Sequence, residues 1–296
     1  MPNKNQGRIV KVVRGIYYAA TGEESIPCNA KGAMRLTGKS PCVGDFVDFD
    51  MNDDGTGTIT DIHVRKNSLI RPPLANLDYM LMIVSVAAPM PNLYVADKFL
   101  AILEHKDIPP CVVITKSDIA DGAEELADKY RQIGYPVFVI SSETGEGVPE
   151  LKDFLADKLC AFSGNSGVGK SSLLNALDSS FAIQVGDISK KLGRGRHTTR
   201  HVELFRLDNN ALIADTPGFS TVEITAMSDI SKDSLPYCFK DFEPYLGGCR
   251  FVNCSHTKEK DCKILEAIEK GEIQKSRHES YIQMYNEVKD LKEWEK

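Results

Sequence analysis

Between residues 8 and 71, apolar side chains come in short runs with a period near two, interrupted by glycine turns. Arg8-Ile9-Val10-Lys11-Val12-Val13, Ile16-Tyr17-Tyr18-Ala19, Val43 to Phe49 and Gly57 to Ile62 read as strands. Their close spacing, without a helical period, predicts a small all-β barrel. Arg71-Pro72-Pro73 breaks the run and reads as a linker. From about residue 76 the rhythm becomes strand–helix–strand. Tyr79 to Val86, Cys111 to Ile114, Pro136 to Ile140, Leu159 to Ser163, His201 to Leu207 and Ala211 to Ala214 are the predicted strands. Ala96 to His105, Ala123 to Gln132, Val148 to Lys158 and Ser171 to Leu177 are the predicted helices. Such alternation makes a doubly wound, mainly parallel sheet. After Gly218 no strand is evident: a loop leads to a cysteine cluster and a helical stretch from about Lys275 to Trp294. Tyr281, Met284, Tyr285 and Val288 recur on one face of that helix, which predicts packing within its own domain. The expected architecture is therefore multidomain: 1–71 all-β, 72–222 α/β, and 223–296 mainly helical.

Composition narrows the class. The chain has 296 residues, 42% of them hydrophobic and 26% charged, an ordinary globular balance. Tyr79 to Ala88, the longest apolar stretch, is about half a membrane span. Met1 to Gln6 carries no apolar signal core, so no membrane association or secretion is expected. The net charge of −6 argues against a polyanionic partner until it is divided along the chain. Residues 1–71 carry +2 and 160–200 carry +4, whereas 72–159 carry −7, 201–248 carry −5 and 249–296 are neutral. Local basic excess, here the barrel and the loop Lys190-Lys191-Leu192-Gly193-Arg194-Gly195-Arg196, governs contact with nucleic acid. On charge alone that loop reads as a solvated turn.

Gly164-Asn165-Ser166-Gly167-Val168-Gly169-Lys170-Ser171 matches G-x-x-x-x-G-K-[ST] between a predicted strand and helix, with Ser172 next on the helix. Glycines let backbone amides curl around a phosphate, and the helix start adds positive potential. Lys170 reaches the β/γ oxygens, and the Ser171 hydroxyl suits Mg²⁺. Asp215-Thr216-Pro217-Gly218 follows a strand, placing a carboxylate for the Mg²⁺ region and, at Gly218, an amide for the γ-phosphate. Thr115-Lys116-Ser117-Asp118 follows another strand and resembles the [NT]-K-x-D guanine reader, whose carboxylate accepts from guanine N1 and N2. Adenine lacks that pair of donors. Ser141-Ser142 fits the companion loop at the guanine oxygen. Read without Asp118, the same residues describe a P-loop ATPase or kinase. The guanine reader precedes the phosphate loop, so the order is that of a circularly permuted GTPase, with the site conserved in space.

Cys249-x₄-Cys254-x-His256-x₅-Cys262 offers three thiolates and one imidazole, a closed set suited to one structural Zn²⁺. Cys28, Cys42, Cys111, Cys160 and Cys238 are scattered and suit small buried side chains.

A small barrel, a permuted GTPase and C-x₄-C-x-H-x₅-C together resemble the bacterial ribosome-small-subunit-dependent GTPase A (RsgA) family. The likeness extends to Val43-Gly44-Asp45, Arg65-Lys66-Asn67 and Gly195-Arg196-His197-Thr198-Thr199. It implies an OB-fold RNA-binding domain and GTP/GDP as nucleotide. It also implies slow hydrolysis accelerated by the 30S subunit, and a role in late maturation of that subunit. Contacts to 16S rRNA, with ribosomal proteins and assembly factors nearby, follow from it, as does a cytoplasmic, monomeric protein. Phe219 stands where many GTPases carry a water-orienting glutamine, and the resemblance points instead to His197, with Thr199 as γ-phosphate and Mg²⁺ contact. A histidine that touches phosphate or RNA is the alternative for His197. A different class of reading is an RNA-binding placeholder in which nucleotide acts only as a conformational ligand.

Overall fold

The alternating N-terminal segment forms five strands, β1 (Asn5–Val13), β2 (Ile16–Thr21), β3 (Glu24–Ala30), β4 (Phe46–Met51) and β5 (Gly57–Ile62). The computed structural model describes residues 5–22, 24–32, 34, 40–70, 72–179, 203–215 and 230–290. The chain divides into two compact units, one of residues 1–79, 152–162 and 177–219, the other of 80–151, 163–176 and 220–296.

In the first unit the strand order β1-β2-β3-β5-β4, with β4 returning to β1, closes the barrel. Its one parallel pair is β3 with β5, the arrangement of an OB-type barrel. Ile9, Ala19, Cys28, Val47, Phe49 and Ile59 fill it and are wholly buried. β3 is absent from the sequence expectation because Pro27 removes a ladder donor and weakens the strand signal. The structure accommodates it: β3 pairs β5 only from Cys28 onward, past the proline. β1 changes partner along its length. On one edge Asn5 to Arg8 lie opposite β4 and Lys11 opposite Glu203 of β12 (Glu203–Arg206), while on the other edge the ladder with β2 slips register between Ile9 and Lys11. β12 is antiparallel to β13 (Leu212–Asp215), which runs parallel to β11 (Leu159–Ser163).

The expected linker at Pro72-Pro73 is a turn between two short antiparallel strands, β6 (Ser68–Leu69) and β7 (Leu74–Ala75). The residues after it are held by polar contacts. Asn76 Nδ2 donates to Gly44 O at 3.0 Å, and Asn67 exchanges two 2.9 Å bonds with the Leu77 backbone. Asp78 accepts from the Leu159 amide at 2.7 Å and from Lys66. Gly44 has φ +93°, and a Cβ there would sit 2.1 Å from Ala75 O. Asp45, wholly buried, is neutralised by a bidentate fork from Arg65 at 2.7 and 2.8 Å.

In the second unit β8 (Tyr79–Ser85), β9 (Pro110–Thr115) and β10 (Val137–Val139) run parallel in the order β10-β9-β8. Helix α1 (Leu93–His105) starts earlier than its apolar period indicates because Asn92 caps it, accepting from Val95 N at 3.2 Å. Helix α2 is Ala123–Ile133 and α3 is Val148–Leu155. α3 stops short of Lys158 at Asp157, whose φ of +59° is left-handed. Helix α4 (Lys170–Leu177) follows the glycine loop, and α5 (Lys263–Glu269) and α6 (Lys275–Val288) follow two short 3-10 turns.

The expected internal face of α6 is realised. Tyr281, Met284 and Val288 are buried with Leu235, Phe239 and Phe242, and with Ala101 and Ile102 of α1. Tyr281 meets Phe239 edge-on at 5.2 Å and Phe242 at 5.0 Å. Arg277, 3% exposed, donates to Asp97 at 2.7 Å and to Asp241 at 2.9 Å, and its guanidinium lies 4.6 Å from the Phe239 ring centre. Among the described residues no helix is long and apolar enough to cross a membrane.

Candidate nucleotide site and metal centre

Backbone conformation sets the glycine loop. Gly164, Gly167 and Gly169 have φ of +155°, +82° and +99°. A Cβ on Gly164 would lie 2.5 Å from Ile83 O, so a side chain there displaces the loop from β8. Val168 is buried under the loop, while Asn165, Ser166, Ser171 and Ser172 are exposed or half-buried. The Lys170 ammonium donates to Gly164 O at 2.5 Å and Asn165 O at 2.7 Å, and burial lowers its pKa. This concave, donor-rich turn at a helix start fits a polyphosphate.

Thr115 ends β9 and is almost wholly buried. Its hydroxyl lies 2.6 Å from Val168 O and 3.1 Å from Val84 O, so its single proton is directed at the nearer carbonyl. Residues 53 apart in sequence are thereby joined, and the segment Thr115 to Asp118 abuts the glycine loop 164–169. Lys116, with φ +63°, donates to Ala88 O at 2.6 Å. The turn around Ala88, anchored by Ser85 Oγ to Ala87 O at 2.8 Å, had no motif to announce it. Only its Pro-rich composition before α1 marks it as a turn. Ser117 Oγ is buried without a partner, and Asp118 is exposed at the strand end. Ser141 is wholly buried, accepts from Thr144 N at 3.1 Å and holds the loop 141–144, and Ser142 is half-buried.

Asp215 ends β13 in the first unit, and its backbone lies opposite Glu203. His197, Thr199 and Gly218 lie outside the described residues, as does the loop 190–200.

Cys249, Cys254, His256 and Cys262 converge, their ligand atoms all within 4.8 Å of one another. His256 Nδ1 is 3.6 Å from Cys249 Sγ and 3.5 Å from Cys262 Sγ, and the two sulfurs are 3.8 Å apart. A tetrahedron with metal–sulfur bonds of about 2.3 Å and a metal–nitrogen bond of about 2.05 Å has edges of roughly 3.8 and 3.6 Å. The donor set and these separations fit one zinc ion. Burial lowers the His256 pKa and keeps the imidazole in its ligating neutral form. The surrounding turn is preformed. Glu259 accepts from the Ser255 hydroxyl and from the amides of Ser255, Thr257 and Lys258 at 2.8, 3.0 and 3.1 Å; burial raises its carboxyl pKa, but the Ser255 hydroxyl first and the Lys258 and Ser255 amides after it bring it down to about 2. From α6, His278 Nε2 donates to His256 O at 2.7 Å and Tyr281 OH to Ser255 O at 2.8 Å. The other five cysteines are buried singly, as small core residues.

Comparison with known proteins agrees with this layout. The RsgA GTPase family model matches residues 62–225 and the RsgA N-terminal domain model residues 6–59. The small ribosomal subunit biogenesis GTPase RsgA of Caldanaerobacter subterraneus subsp. tengcongensis is 42% identical over 96% of each chain. Its namesake in Bacillus subtilis is 38% identical over 97% of this chain and 98% of its own. The crystal structure of Thermotoga maritima YjeQ superposes with a TM-score of 0.84 at 34% identity, covering 98% of this chain and all of that one. That of YloQ, described as a circularly permuted GTPase, gives 0.81 at 35% identity over 98% and 96% of the two chains. Both family models match in order along this chain, the relatives and solved structures match it over nearly its whole length, and the chain belongs to the RsgA family.

Proposed function

We propose that this chain is a GTP hydrolase acting in biogenesis of the small ribosomal subunit, slow alone and accelerated on the 30S particle. The guanine-nucleotide part is carried by the Thr115 hydroxyl on the Val168 carbonyl, which unites a base reader and a phosphate loop met in reversed order. The subunit part is supported by the names of the relatives. In this reading Gly164 to Gly169 cradle the phosphates, Lys170 supports charge on the β/γ oxygens, Asp118 accepts from the guanine edge, and Ser141-Ser142 close on its oxygen. Ser171, Asp215 and Thr199 would hold Mg²⁺, which when bound neutralises phosphate charge. Phe219 cannot orient water, and His197 is assigned that task. Water attacks the γ-phosphorus, the bond to the β–γ bridging oxygen breaks, and GDP and phosphate leave. Nucleotide state then controls association with the subunit and release from it. The barrel and the zinc knuckle are the surfaces assigned to 16S rRNA, with ribosomal proteins and assembly factors as further neighbours. The protein works as a monomer in the cytoplasm, where subunits are assembled.

GTP turnover measured with and without purified small subunits tests this reading. Stimulation by subunits, lost in His197→Ala with GTP affinity intact, is expected. Equal rates with and without subunits would overturn the ribosome assignment, and undiminished stimulation in His197→Ala would remove that residue's role. Asp118→Asn should move preference from GTP toward xanthosine triphosphate. If ATP competed as well as GTP in the native protein, the guanine assignment would be wrong.

A further inference from the structure

β1 serves two neighbours in turn. Asn5 to Arg8 close the barrel against β4, and beyond a bulge in its ladder with β2, between Ile9 and Lys11, the same edge of the strand meets β12 at Glu203. A bulge bends a strand and raises its twist, so it re-aims the residues beyond it. Lys11 Nζ lies 2.7 Å from Glu203 Oε1, with both side chains about one-third exposed (35% and 34%). The other edge of β12 pairs with β13, and there Glu203 stands opposite Asp215. Lys11, Glu203 and Asp215 therefore occupy one row across three neighbouring strands. Glu203 begins the strand that leaves the basic loop, and Asp215 begins Asp-Thr-Pro-Gly. A second tie reaches the same place from the other side. Asp78, bonded to Lys66, accepts from the Leu159 amide at 2.7 Å, and β11 is the other neighbour of β13. β13 thus lies between β12, which is tied to β1 of the barrel, and β11, which is tied to the Lys66–Asp78 pair on the chain that leaves the barrel.

We propose that Lys11 and Glu203 form a positioning pair that transmits engagement of the barrel to the GTP-hydrolysing site. Paired strands keep their register because a one-residue slip reverses every side chain. A displacement of β1 is therefore passed to β12, to the exit of the basic loop and to the backbone of Asp215. The inference rests on the subunit-stimulated hydrolysis proposed for this chain.

The test compares native protein, Glu203→Gln, Lys11→Met and the exchange Lys11→Glu with Glu203→Lys, all full-length. Each is measured for unstimulated turnover, turnover at saturating small subunits, KM for GTP and subunit affinity. Each single variant should lower the stimulated kcat about five-fold, the scale of one half-buried ion pair acting as a coupling. Unstimulated turnover, KM and subunit affinity should stay at native values, and the exchange should restore stimulation. Native stimulation in both single variants would overturn the coupling alone. An equal loss in stimulated and unstimulated turnover would reduce the pair to a structural role and also overturn it. If the native protein were not stimulated, the underlying functional reading would fall as well, so the two failures are distinguishable.

Discussion

Arg277→Met removes the cation that holds two buried carboxylates. In the native protein the guanidinium bonds Asp97 at 2.7 Å and Asp241 at 2.9 and 3.4 Å, and all three side chains are at most 6% exposed. Methionine fills similar volume and keeps contact with Phe239, so the loss is mainly electrostatic. Stripping one partner from a buried ion pair costs about 3–5 kcal/mol because the remaining charge stays desolvated. For a chain of this size, that is a fall in Tm of roughly 6–20 °C. The cost depends on pH. Burial already raises the Asp97 pKa, and losing Arg277 raises it further. An acid whose folded pKa exceeds its unfolded one favours the folded state at low pH and loses that advantage as pH rises through the folded pKa. The gap between native and variant Tm should therefore narrow from pH 7 to pH 5, measured by circular dichroism on zinc-loaded protein. Adding Asp97→Asn and Asp241→Asn should recover part of the loss at pH 7. A gap under about 1 kcal/mol at pH 7, or one that does not narrow at pH 5, would refute this account of the triad.

Thr115→Val keeps shape but orphans the Val168 carbonyl. At about 1–2 kcal/mol for a buried unpaired acceptor, GDP and GTP should bind roughly 5- to 30-fold more weakly in a fluorescent-nucleotide titration, and native affinity would contradict the role given to that hydroxyl. Zinc analysis should find one ion per chain, lost in Cys254→Ser, and chelation should unfold the knuckle while leaving the barrel's circular dichroism intact; a chain that binds no zinc at native stability would refute the centre. Glu259, held to about 2, stabilises the knuckle fully above its ordinary carboxylate range and loses that contribution as pH falls toward 2. Glu259→Gln should cost about 1–2 kcal/mol at pH 7, after allowance for solvent screening, and much less near pH 3. A pH-independent difference would contradict it.

Much of this molecule was legible from residue order. Glycine spacing around Gly164 to Lys170 and the strand before it specify a tight turn into a helix, because left-handed backbone at those positions favours glycine. Cys249 to Cys262 announce a convergent ligand set compatible with one zinc, because ligand chemistry tolerates few spacings. What escaped were features made by distant pairs. β3 was hidden by Pro27, although two neighbouring strands hold it. The Pro72-Pro73 break read as a tether, yet Asn67, Asn76 and Asp78 fasten the chain on its far side, and no periodicity records a side chain bonding a remote backbone. The Ala88 turn beneath Lys116 and the Arg277 triad are invisible for the same reason: the partners lie 28 and 180 residues apart.

The long separation between Lys11 and Glu203, 192 positions, has a consequence during synthesis. At about 5–20 residues per second, a ribosome needs roughly 10–40 s to deliver β12 after β1 has emerged. Through that interval one edge of the far half of β1 has no neighbour and is open to pairing with other nascent chains. A lysine and a bulge are two of the devices by which proteins blunt such an edge. Lys11 thus has an earlier occupation than its ion pair: it guards the growing chain until the strand that will cover it arrives.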